Sequence, residues 1–171
     1  MTLTIPTWID GELTPVEKLR AHQLGLPHKA VSVFVTHGTA VLLQRRALGK
    51  YHTPGLWANT CCTHPHWGED PLHCAERRLT EELGLTGIPL LFRDQVEYRA
   101  DVGGGMIEHE VVDIYLGQVA QPVMPQPNPD EVCDTAWVEM ADLVQDVRAQ
   151  PERYTPWLRI YLERHAQVIF A

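Results

Sequence analysis

The chain has 171 residues, 44% of them hydrophobic and 21% charged, an ordinary balance for one globular domain with a sizeable core. A net charge of −8 argues against nucleic acid or an anionic membrane as the main partner, although a local basic pocket can still hold an anionic substrate. No basic or apolar signal region opens the sequence, no apolar run reaches membrane-spanning length, and Cys61, Cys62, Cys74 and Cys133 form no secreted disulfide framework, so a reducing cytoplasm is expected. Thr14 as cap, Pro15 at the first helical position and Glu17 closing a capping box predict a helix from about 15 to 23, ending near Gly25. Lys18 and His22 then lie one turn apart on one face. Ala30 to Val35 and Val41 to Gln44, around His37-Gly38, read as a buried hairpin. The following stretch, RRALGKYHTPGLWANTCCTHPHWGE, holds too much Gly and Pro for a long regular element. A second helix is capped by Asp70, begins at Pro71 and stops at Gly84, with Leu72, Ala75, Leu79 and Leu83 as its buried stripe. Gln95 to Ala100 and Met106 to Val119 read as strands around Gly103-Gly104-Gly105. A Pro-rich connection, QPVMPQPNPDE, leads to a short strand around Trp137, and two helices follow, near 140–149 and from Thr155-Pro156.

Three places carry residues suited to chemistry. On the second helix, Arg78 and Glu82 sit one turn apart beside the buried stripe. In the preceding loop, Cys62 stands beside His64 and near a helix start, where a thiolate can be favoured. An extended backbone there turns Cys61 and Cys62 in opposite directions, so that one alone faces a pocket. On the strand from Met106, the two-residue period puts Glu108 and Glu110 on one face and His109 on the other. Two adjacent carboxylates repel unless a cation or a proton lies between them, and their face continues as apolar Val112, Ile114 and Leu116. That makes a metal or acid site of the pair. His22, His28 and His64 are available imidazoles, though no sequential zinc motif links them.

The second helix resembles a Nudix box: Glu69, Arg77, Leu79, Glu81, Glu82, Gly84 and Leu85 fall in register. Thr63 stands where the pattern has its first glycine, and Arg78 where a Nudix hydrolase has a metal-binding glutamate. With AHQLGLPHKAVSVF, RRALGKYHTPGLWANTCCTHP, RRLTEELG, EYRA, EHEV, NPDEV and TPWL in order, the chain resembles the type I isopentenyl diphosphate isomerases over roughly residues 15 to 160. One departure is Met106-Ile107, where that family often has Trp-Gly. The resemblance implies an α/β (α+β) fold, a Nudix-type mixed β-sheet sandwiched between α-helices. It implies one domain over 1–171, with 1–28 as an N-terminal extension contributing to the site.

By this resemblance His22, His28, His64, Glu108 and Glu110 hold a divalent metal, a donor set suited to Mn²⁺, Zn²⁺, Mg²⁺ or iron. Glu82 is implied as a ligand of Mg²⁺ on the substrate diphosphate, and Lys18, Arg46, Lys50 and Arg78 as its cationic partners. Glu110, helped by Tyr98, is implied to protonate the terminal alkene carbon, and Cys62 to remove a proton from carbon 2. Trp157 is implied to face the intermediate carbocation with its π surface. The partner is then a small isoprenoid diphosphate, with neither nucleic acid nor membrane involved, and the protein a monomer or weak homodimer. The rival expectations are a Nudix hydrolase of a diphosphate-containing substrate and a metal-stabilised binding module. Arg78 and Cys62 count against the first, and the combination of Cys62, Glu110 and Tyr98 against the second.

Overall fold

A computed structural model describes residues 2–171. The chain opens with a hairpin, β1 (Thr4–Ile9) and β2 (Glu12–Glu17), turned at Asp10-Gly11. Both turn residues have positive φ, 50° and 84°, the conformation that a two-residue type I′ turn demands and that Asp-Gly supplies. This corrects the expected helix start. Thr14 and Pro15 lie in β2, with Pro15 opposite Pro6, on the outermost strand, where a missing N–H is tolerated. The helix itself, α1 (Lys18–Leu24), begins three residues later. Glu17, not Thr14, is its cap, accepting from the Leu19 and Arg20 amides at 3.1 and 2.9 Å. The capping pattern around Thr14 loses to strand pairing and is replaced by a local carboxylate cap.

Next come β3 (His28–His37), β4 (Ala40–Arg46), and two short strands within the Gly/Pro stretch, β5 (Trp57–Ala58) and β6 (Cys61–Thr63). Helix α2 (Pro71–Leu83) follows, then the long pair β7 (Leu90–Gly103) and β8 (Met106–Gln118), β9 (Val132–Glu139) and α3 (Met140–Ala149). A single 3₁₀ turn leads to α4 (Pro156–Ile160), a π-helical turn at Tyr161–His165, and α5 (Ala166–Phe170). Among the described residues the nine strands form one mixed sheet. Strand β3 is its axis. It runs parallel to β8 from His28 beside Glu110 to Thr36 beside Gln118, and antiparallel to β6 on its other edge, with Ser32 beside Cys62.

Alternation along β3 separates two cores. Val31, Val33 and Val35 pack with Cys61, Leu79 and Leu83 under α2. Ala30 and Phe34 pack with Ile114, Leu143, Leu158 and Tyr161 under the C-terminal helices. The sheet is therefore sandwiched between helices. Helix α2 starts as expected, with the Asp70 side chain accepting from the Leu72 and His73 amides at 3.0 and 3.1 Å. It ends at Gly84, whose φ of 64° and whose contact with Gln126 leave no room for a side chain. Leu72 is a correction. It is 37% exposed, while Cys74, Ala75, Leu79, Glu82 and Leu83 make the buried face, which is set by what packs opposite and begins only in the second half of the first turn.

Candidate metal centre and adjoining pocket

Glu108 is the hub of a buried imidazole cluster. Its Oε1 lies 3.0 Å from His22 Nε2 and 2.8 Å from His52 Nε2, and its Oε2 lies 3.2 Å from His28 Nε2 and 3.8 Å from His64 Nε2. Ligand atoms of His22, His28, His64 and Glu108 all fall within 4.8 Å of one another. His22 Nδ1 sits 2.6 Å from the Lys18 carbonyl and His28 Nδ1 2.8 Å from the Leu26 carbonyl. A carbonyl only accepts, so each Nδ1 carries a hydrogen and each ring turns its Nε2 toward the carboxylate, the orientation that metal-binding histidines adopt. Both ring nitrogens of His64 are buried without a hydrogen-bond partner. Imidazole nitrogens gathered on one buried carboxylate, with the His64 ring left unsatisfied, form a donor set that suits a divalent cation. The contacts of 3.0 and 3.2 Å also match neighbouring ligands on one ion with bonds of about 2.1 Å.

Glu110 stands beside this group, 3.8 Å from His64 Nε2. The β7–β8 ladder sets Tyr98 directly across from it, and the Tyr98 hydroxyl donates to Glu110 Oε1 at 2.6 Å. The two carboxylates are driven apart. Burial and then the charge of Glu108 push Glu110 well above the usual carboxylate range. Burial also presses on Glu108, but the surrounding imidazole contacts outweigh it and hold that group well below the range. One acid is thus ionised and its neighbour keeps its proton.

Cys62 and Cys61 face opposite ways, as an extended segment requires. Cys61 is fully buried in the core under α2, and its thiol donates to Glu82 Oε2 at 3.2 Å. Cys62 reaches the face under the C-terminal helices and lines a cavity together with Glu110. The Cys62 thiol donates to Asn59 Oδ1 at 2.8 Å and lies 3.4 Å from Ser32 Oγ, which is 2.9 Å from the Tyr161 hydroxyl. Asn59 is itself fixed by donating to the Val33 and Cys61 carbonyls at 3.0 and 3.1 Å. Burial pushes the Cys62 thiol up to about 12. Strands β6 and β8 flank β3, so Cys62 and Glu110 approach the cavity from opposite sides of that strand.

The same cavity is lined by Lys18, Arg46, Lys50 and Arg78, and by His64, Glu82, Glu108 and Trp157. Lys18 comes from α1, Arg46 from the end of β4, Lys50 from the loop after it and Arg78 from α2. Arg78 is held by Glu81 and Glu82, each at 2.7 Å, and by Glu131 at 3.2 Å. Lys50 pairs with Glu131 at 2.7 Å. Burial, then the charge of Lys50, lowers Lys18 to about 8. The Arg46 guanidinium lies 5.3 Å from the Trp157 ring centre, and Trp157 is almost wholly buried. Glu82 lies at the other end of the Arg78 pair, its Oε2 accepting from Gln44 Nε2 at 2.9 Å.

Lys18, Arg46, Lys50, Cys62, His64, Arg78, Glu82, Glu108, Glu110 and Trp157 therefore line one pocket, with His22, His28 and Tyr98 directly behind it. The chain reading missed His52, Ser32, Gln44, Asn59, Glu131 and Tyr161. Asn59 was accessible in principle, since it precedes Cys62 by three residues in a turn-rich loop. Ser32 and Tyr161 are joined to Cys62 only by strand pairing and by the π-helical turn, and no local pattern announces either. Ile107, where the family pattern has glycine, packs against Gly25 at the end of α1.

The family model described as NUDIX domain matches residues 26–158. A protein named isopentenyl-diphosphate Delta-isomerase from Cereibacter sphaeroides (strain KD131 / KCTC 12085) is 61% identical over 170 residues, covering 99% of this chain and 96% of the relative. One of the same name from Rhodobacter capsulatus is 60% identical over 166 residues, covering 97% and 94%. Among solved structures, DR0079 from Deinococcus radiodurans superposes with a TM-score of 0.76 at 14% identity, covering 94% of this chain and 98% of its own. A MutT NUDIX hydrolase from Burkholderia pseudomallei gives 0.63 at 23% identity, covering 81% and 98%. At such identities these two structures speak to the fold alone. No helix among the described residues is long and apolar enough to cross a membrane.

Proposed function

From the premise that this chain belongs to the isopentenyl-diphosphate Delta-isomerases of the Nudix family, we propose how its pocket divides the labour of moving a double bond. The enzyme interconverts isopentenyl diphosphate and dimethylallyl diphosphate by adding one proton and removing another. The observation that carries the assignment of roles is a single cavity lined by a buried carboxyl group, a thiol on the other side of β3, and four cationic side chains.

Lys18, Arg46, Lys50 and Arg78 hold the diphosphate, the arginines by paired N–H donors and the lysines as compact charges. Phosphate oxygens replace the carboxylates that Lys50 and Arg78 meet in the free protein. Glu110, kept protonated by burial and by the charge of Glu108 and oriented by Tyr98, delivers its proton to the terminal alkene carbon. The positive charge that develops on the tertiary carbon faces Trp157, whose π surface stabilises a cation without capturing it, as water would. Cys62 takes the proton from carbon 2. In the substrate-free pocket its thiol keeps its hydrogen and donates it to Asn59 Oδ1, so that proton has to pass to solvent before turnover in this direction. His22, His28, His64 and Glu108 would hold one divalent metal with Glu110 at its margin, and Glu82 would meet Mg²⁺ carried on the diphosphate. When bound, the metal supplies positive charge that lowers the proton affinity of the groups around it. Mn²⁺, Mg²⁺ and Zn²⁺ all suit the mixed imidazole and carboxylate donors. Residues 1–28 act as an extension that brings Lys18 and His22 to a single domain.

Hydrolysis is disfavoured by Arg78. It stands where a phosphate-cleaving Nudix helix has a metal-binding glutamate, so the helix offers its cations one carboxylate fewer. Product analysis with isopentenyl diphosphate, with and without a chelator, tests the proposal. Dimethylallyl diphosphate should form only in the metal-loaded protein. Inorganic phosphate without a moved double bond would overturn it.

A further inference from the structure

Glu108 Oε1 has two imidazole neighbours of opposite kind. His22 spends its Nδ1 hydrogen on a backbone carbonyl, which leaves its Nε2 to serve as a metal ligand. His52 has its Nδ1 2.8 Å from the Thr53 hydroxyl, which can donate, and its Nε2 2.8 Å from Glu108 Oε1. The reverse arrangement would set a ring lone pair against a carboxylate, so His52 Nε2 carries a hydrogen and gives it to Glu108. This holds for the neutral and the protonated ring alike. His52 also falls outside the group whose ligand atoms lie within 4.8 Å of one another.

The backbone fixes His52 in place at some cost. Thr53, the hydroxyl partner, has φ of 45°, a conformation that β-branched residues avoid and that persists where surrounding structure imposes it. Arg46 Nη2 donates to the His52 carbonyl at 3.2 Å, and the His52 ring meets Trp157 edge-on at 5.8 Å. The side chain is 3% exposed. One loop residue thus touches the carboxylate of the metal centre, a diphosphate-binding arginine and the aromatic wall.

We propose that His52 is a positioning residue of the metal centre: its Nε2–H locks Glu108 so that the carboxylate meets the ion shared with His22, His28 and His64, and His52 itself is not a ligand. The inference rests on the reading of that group as a divalent-metal site. Hydrogen bonds of this kind orient ligands, and losing one typically weakens metal binding about 10- to 100-fold.

The test compares His52→Gln, whose amide N–H reaches about as far as Nε2, with His52→Asn, whose amide falls short. Mn²⁺ affinity is measured by competition with a chromophoric chelator, stoichiometry by metal analysis, and the site geometry by visible absorption of the Co²⁺-loaded protein. Melting of the metal-free forms checks folding. His52→Asn should keep one metal per chain, bind Mn²⁺ about 10- to 100-fold more weakly and change the Co²⁺ spectrum. His52→Gln should recover most of the affinity and the parental spectrum. Equal affinity in parent and His52→Asn would overturn the proposal, as would equal loss in both variants. Loss of stoichiometric metal from His52→Asn would overturn it too, by making His52 a ligand. A parent protein that takes up no Mn²⁺ or Co²⁺ at these residues would instead sink the metal reading beneath it, whatever the isomerase assay shows.

Discussion

The two ends of the pocket solve opposite electrostatic problems. At the cationic end, Lys50 and Arg78 pair with Glu81, Glu82 and Glu131 at ordinary ion-pair distances, while Arg46 Nε and Arg78 Nε are left without hydrogen-bond partners. At the histidine end, imidazole nitrogens converge on Glu108 and neither ring nitrogen of His64 has a hydrogen-bond partner. Exposed or half-buried ion pairs contribute little to stability and exchange readily for a substrate phosphate. Several buried donor atoms gathered at one point, with a fully buried imidazole unsatisfied, call for a cation that stays. The difference teaches which ligand is resident and which comes and goes. The acid and the thiol sit where the two ends meet, so chemistry takes place between a fixed charge and an exchangeable one.

The largest effect should come from that junction. Cys62→Ala removes a proton-transfer group and should lower turnover by about two to four decades while the protein folds normally. Cys61→Ala, on the far face of β6, should be much milder. An essential Cys61 beside a dispensable Cys62 would reverse the assignment of faces. Next comes the histidine end. A double variant, Glu108→Ala with Glu110→Ala, should lose the tightly bound metal, and removal of His22, His28 or His64 singly should weaken it, as metal analysis after gel filtration would show. Stoichiometric metal in the double variant would end the distinction between resident and exchangeable ligands.

The cationic end should respond less severely. Arg78→Ala or Glu82→Gln should cost about 2 kcal/mol, roughly thirtyfold in kcat/KM, mostly through KM, with a fall in kcat where the diphosphate is misplaced. Unchanged kinetics in both would make this helix face an ordinary solvated one. The smallest effect is a pH dependence. Burial holds Lys18 at about 8, so its ammonium is charged below that pH and loses its charge as pH rises through it. Phosphate binding by the free enzyme should therefore weaken on the alkaline side, visible in kcat/KM. Lys18→Arg, charged throughout, should flatten that limb. A limb that persists unaltered in Lys18→Arg belongs to another group.

What the sequence made legible follows from how local each signal is. The α2 boundaries were readable because Asp70, Pro71 and Gly84 act on their own backbone neighbours. Glu108 and Glu110 were readable as one face because strand periodicity is local, and Cys61 and Cys62 as opposite faces for the same reason. The N-terminal helix start was misread because Thr14, Pro15 and Glu17 satisfy a capping pattern, while the Asp10-Gly11 turn and pairing with β1 decide the outcome. His52 escaped because its importance comes from Glu108, far along the chain on another strand. Ser32 and Glu131 escaped likewise, since each acts across the sheet or between loops. The identities of the pocket residues were legible through a resemblance, and their pairwise geometry only through the fold.

The most direct test of acid and base acting between the two ends follows solvent hydrogen into product. Turnover of isopentenyl diphosphate in heavy water should yield dimethylallyl diphosphate with deuterium in the methyl group made from the terminal alkene carbon, its diphosphate intact. Protonation by Glu110, whose proton exchanges with solvent, requires that label. Dimethylallyl diphosphate formed in heavy water without deuterium would contradict the account.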